Sequence, residues 1–82
     1  MNDPNILNLY PLTILSDRYG GTYSGWAYLA FNLHSEDVPI EPSSNDVMCA
    51  EFWDGDQNGI IIGRGHTPNE AWIDLHNRIL KA

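Results

Sequence analysis

A chain of 82 residues holds one domain, here taken as residues 1–82, with a thin hydrophobic core. Eleven acids against four bases give a net charge of −7, a field that repels nucleic acid and anionic membranes, and one cysteine, Cys49, excludes an intrachain disulfide. No run reaches the roughly 18 apolar residues that span a bilayer, and MNDPNILNLY lacks the basic start of a secretory signal, so the expected setting is the cytoplasm.

The elements follow in order. Residues 1–9 read as an N-terminal arm that Ile6, Leu7 and Leu9 can fasten to the body. YPLTILS (10–16) reads as a first strand, with Leu12 and Ile14 on one face and Thr13 and Leu15 on the other. Gly20 and Gly21 supply the backbone freedom of a hairpin turn. YSGWAYLAFN (23–32) reads as a second strand, apolar on both faces through Trp26, Tyr28, Leu29 and Phe31. LHSEDVPIEPSSND (33–46) is rich in Pro, Ser and acids and reads as a long exposed loop. VMCAEFW (47–53) alternates as a third strand, and the β-branched run GIIIG (59–63) as a fourth.

The last element carries the clearest signal. Thr67, Pro68 and Glu70 form an N-terminal capping pattern, and Ala71, Trp72, Leu75 and Ile79 repeat at helical spacing. Arg78 and Lys81 fall in the last turn, where cations suit the helix dipole. The expected fold is α+β: a four-stranded antiparallel sheet with one C-terminal helix on one face, in the order β-β-β-β-α.

FWDGDQNGIIIGRG (52–65) opens like a calcium-binding loop, with Asp54, Asp56, Asn58 and Gly59. Such a loop needs a glutamate at its twelfth position, and that position is Gly65. A turn between strands is the expected role. His34, His66, His76 and Cys49 show no ligand spacing, and GRGHT lacks the lysine of a phosphate loop, so neither metal nor cofactor is expected. Ser24, Asp17 and a histidine make a paper triad that nothing in the spacing enforces. No catalytic residue is assigned, and the chain is expected not to be an enzyme.

The stretches YPLTILSDRYGGTYSGWAYLAF and GRGHTPNEAWIDLHNRIL resemble the HicB-like antitoxin domain. Tyr10, Pro11, Gly20 and Gly21 match its opening, and Gly63, Gly65, Thr67, Glu70 and Ala71 its strand-to-helix closing pattern; together they cover about half the chain. The resemblance implies a β-β-β-α sheet and binding to a small basic ribonuclease toxin. The acidic stretch 33–46 is foreign to that pattern, and the C-terminal DNA-binding segment common in the family is not expected within these 82 residues.

Charge placement bears most directly on function. Between Arg18 and Arg64 stand Glu36, Asp37, Glu41, Asp46, Glu51, Asp54 and Asp56, with no Lys or Arg among them. One helix covers one sheet face, so the apolar second strand is expected to leave a binding surface rimmed by acid. The leading expectation is an interaction module that occludes a basic nucleic-acid-binding protein without touching nucleic acid or membrane itself. Anti-CRISPR and antirestriction DNA-mimic proteins of phages are of that kind. The alternative is a HicB-like antitoxin or regulatory domain, and self-association through the sheet as a homodimer is a further expected state. The expected partner surface is Tyr23, Trp26, Glu51, Trp53, Asp54 and Asp56, with Glu36, Asp37 and Glu41 from the long loop. Asp17, Arg18 and Tyr19 are the second choice.

Overall fold

The computed structural model describes residues 9–81. Strands β1 (Thr13–Ser16), β2 (Tyr28–Phe31) and β3 (Ile62–Gly65) form an antiparallel sheet in the order β1-β2-β3. Helix α1 (Asp46–Asp54) lies between β2 and β3 in sequence, and α2 (Pro68–Lys81) follows β3. The α+β class and the antiparallel sheet agree with expectation. The count does not: three strands and two helices replace four strands and one helix.

The error lies at residues 47–53, which form most of α1. Asn45 caps the helix, its Oδ1 accepting the Met48 N–H at 2.9 Å. Cys49 and Phe52 point inward three residues apart, and Trp53 joins them on the same side. The fourth expected strand shifts and becomes β3. Asp54 to Gly59 is therefore a helix-to-strand connection and not a hairpin turn. Within it a 3-10 helix, Gln57–Gly59, starts at Asp56, whose carboxylate accepts the Asn58 N–H.

Two layers of side chains flank the sheet. On one face Leu29, Phe31 and Ile62 pack with Phe52 of α1, and Leu15, Leu33, Val38, Trp53 and Ile60 close around them. On the other, Ala30 packs with Ala71 and Leu75 of α2, flanked by Leu9, Ile14, Tyr28 and Ile79. Each large side chain so buried is worth roughly 1.5–3 kcal/mol over exposure. The second strand is indeed apolar on both faces, and both faces are covered. The expected bare sheet face is thus absent, because α1 occupies it.

Close contact between β3 and α2 rests on glycine. A Cβ on Gly63 would stand 2.3 Å from the Ala71 carbonyl oxygen, and one on Gly65 2.5 Å from the Ala71 nitrogen. The Gly-x-Gly pattern before the helix is therefore a packing requirement. The helix start is as expected: Glu70 N–H donates to Thr67 Oγ1 at 3.1 Å, and Glu70 Oε1 accepts the His66 N–H at 2.9 Å.

The arm lies largely outside the described residues, Ile6 and Leu7 included; Leu9 packs against the α2 layer. The stretch 33–46 is more ordered than a loop. It carries 3-10 helices at Ser35–Asp37 and Glu41–Ser43, and its Pro42 is buried. Among the described residues no helix is long and apolar enough to cross a membrane.

Candidate functional site

The site is built on the connection between β1 and β2. This is an eleven-residue excursion, 17–27, in place of a tight hairpin turn. Asp17 organises it. Its side chain is 8% exposed; Oδ1 accepts the Tyr19 N–H at 3.0 Å, and Oδ2 accepts the Gly21 N–H at 3.0 Å and the Ser24 hydroxyl. Gly21 has φ +95°, and a Cβ there would stand 3.1 Å from the Trp26 nitrogen. Ser24 Oγ also accepts the Trp26 N–H, so the Asp17–Ser24 pair is a turn lock with no histidine between its members.

The excursion then reaches across to the segment that leads into α1. Arg18 donates to the Ser43 carbonyl at 3.1 Å, and the Tyr19 hydroxyl to the Ser44 carbonyl. The Tyr19 and Tyr23 rings meet edge to face at 5.6 Å. Desolvation, then the Asp46 carboxylate, pushes the Tyr19 phenol above its ordinary value, so it stays a neutral donor.

An open groove of about 430 Å³ runs between excursion and helix, lined by Thr22, Tyr23, Ala50, Glu51, Trp53 and Asp54. Next to it Arg18, Tyr19, Asn45, Asp46, Val47 and Met48 line a second hollow. Val47 is 66% exposed and Met48 36%, so the outer face of α1 presents apolar side chains among carboxylates. Four expected partner residues, Tyr23, Glu51, Trp53 and Asp54, thus share one groove. Arg18 and Tyr19 flank it, and Asp17 lies buried within the connection.

The other expected residues lie apart from that lining. Trp26 packs on the His66 ring at 4.9 Å, at the start of α2. Glu36, Asp37 and Glu41 belong to the two 3-10 helices, and Asp56 caps the third. Asp46, Val47, Met48, Thr22 and Ala50 were missed. An asparagine followed by an acid and then Met, Ala and Glu is a helix-start signal that would have placed Asp46, Val47, Met48 and Ala50 on a helix; Thr22, in the β1–β2 connection, had no such signal.

Cys49 is sealed beneath α1, and burial, reinforced by Asp17 and Asp46, raises its thiol above the ordinary value and keeps it protonated. Among the described residues no group of three or more His, Cys, Asp or Glu side chains is placed to hold a metal ion. No protein-family model, no curated protein and no solved structure matches this chain.

Proposed function

We propose that this protein is a non-enzymatic interaction module whose acidic α1 face docks and occludes a basic, nucleic-acid-binding protein. One observation carries the reading: Tyr23, Glu51, Trp53 and Asp54 line a single groove, with exposed Val47 and Met48 beside it. Aromatic and apolar anchors flanked by the carboxylates of Asp46, Glu51 and Asp54 suit a basic partner. Ser24 is committed to the turn and Cys49 to the core, which favours binding over catalysis. An anti-defence inhibitor of the anti-CRISPR or antirestriction kind is the form of module favoured.

The test is capture of partners at low ionic strength, followed by affinity measurement against rising NaCl. Binding weakens steeply with salt and is lost in a Glu51→Lys/Asp54→Lys double variant. A salt-independent affinity overturns the reading. A HicB-like antitoxin role would use the same electrostatics; co-purification of a small basic ribonuclease distinguishes it.

A further inference from the structure

Three of the four basic residues of this acidic chain, Arg64, Arg78 and Lys81, line one open pocket of about 380 Å³ beside β3. Its floor includes Ile60 and Ile61, the latter 39% exposed. The Arg64 guanidinium lies over the Trp53 ring at 5.0 Å, and its buried Nε has no hydrogen-bond acceptor. Acids outnumber bases almost three to one in this chain, yet no carboxylate among the described residues pairs with Arg64 or Lys81.

Among the described residues the carboxylate beside Arg64 and Arg78 is that of Asp74, and it is already engaged. Asp74 Oδ2 accepts the Arg64 backbone N–H at 2.9 Å and the Arg78 Nε–H at 2.6 Å. It also fills the place where a carbonyl of an added strand would bond the edge of β3, which disfavours an extended peptide there. Desolvation first, then the Arg78 charge, lowers the Arg64 pKa from its ordinary value, against the opposing pull of Asp74; three cations against that one carboxylate leave the pocket lining net positive.

We propose that this pocket is a binding site for a small oxyanion with an apolar tail, the anion held by Arg64, Arg78 and Lys81 and the tail against Ile60 and Ile61. Guanidinium groups bind such oxygens through paired N–H donors. The site meets the acidic groove at Trp53, which lines that groove and lies under Arg64. It asks for a ligand of opposite sign.

The experiment titrates inorganic phosphate and hexyl phosphate, at matched ionic strength with chloride as control. It follows the amide resonances of Ile61, Ile62 and Arg64 and the Trp53 fluorescence. The expected result is saturable binding, tighter for hexyl phosphate. Arg64→Met weakens it about tenfold or more and Lys81→Gln several-fold, while Glu51→Lys/Asp54→Lys leaves it in place. Lys81 is exposed, so Lys81→Gln decides if Arg64→Met fails to fold. Shifts that chloride reproduces, that never saturate, that ignore these substitutions or that follow protein concentration overturn the site.

Discussion

Asp17 shows how one side chain can fix a surface. It gathers two backbone N–H groups and a hydroxyl, and with them the curvature that brings Tyr19 and Tyr23 to α1. Asp17→Ala leaves these donors without their acceptor, at a cost of about 3 kcal/mol, while Ser24→Ala costs about 1 kcal/mol. Urea denaturation of both variants checks the order, and equal costs would argue against Asp17 as the organiser. Cys49 adds a pH signature. A thiol whose pKa is raised on folding favours the fold while it stays protonated. That contribution is intact below its ordinary value of 9.0 and is lost as pH rises past it. Unfolding free energy therefore declines above about pH 9, and Cys49→Ala flattens that part of the decline. The raised Tyr19 phenol contributes with the same sign at higher pH, so Tyr19→Phe belongs in the same series.

At the scale of elements, β3 and α2 are bound by what glycine leaves out. A methyl group at Gly63 meets the Ala71 carbonyl and the Leu75 nitrogen, both backbone atoms that move only if the helix moves. Gly63→Ala is expected to destabilise the fold by about 3 kcal/mol, the upper range for overpacking, and thermal unfolding followed by circular dichroism reads it. This unit was legible in the sequence because its signals are local: a cap, a proline at the first turn and a spaced apolar stripe. Helix α1 carried one local helix signal, its Asn45–Asp46 start, and its apolar pattern did not support it over a strand. VMCAEFW is apolar but for Glu51, and Val47, Cys49 and Trp53 fit an alternating pattern as well as Cys49, Phe52 and Trp53 fit a helical one. What decides is tertiary: Leu29, Phe31 and Ile62 offer a sheet face that a helix covers. The site was half legible for the same reason. Glu51, Trp53 and Asp54 were named from charge and ring type, but their groove exists only because residues 46–54 coil, which puts Ala50 and Asp54 beside Tyr23.

Across the whole molecule, charge and packing pull in different directions. The seven acids of the central stretch have no base within it to offset them, and Arg78–Asp74 is the ion pair formed among the described residues. That pair is exposed and joins neighbours on one helix, so it is worth only about 0.3–0.5 kcal/mol. Folding gathers Asp46, Glu51 and Asp54 onto one short helix, and their mutual repulsion opposes the hydrophobic layer beneath it. Salt screens this repulsion over a distance that shrinks from about 30 Å at 0.01 M to about 3 Å at 1 M. The melting temperature should therefore rise as NaCl is added across that range. The same screening weakens attraction to a basic partner, so stability and affinity respond to salt with opposite signs. Glu51→Gln and Asp54→Asn should each raise the melting temperature at low salt and lose that advantage at high salt. A melting temperature that falls between 0.01 and 0.2 M NaCl would mean that favourable ion pairs outweigh the repulsion, and the acidic face of α1 would then be a stabilising feature of the fold.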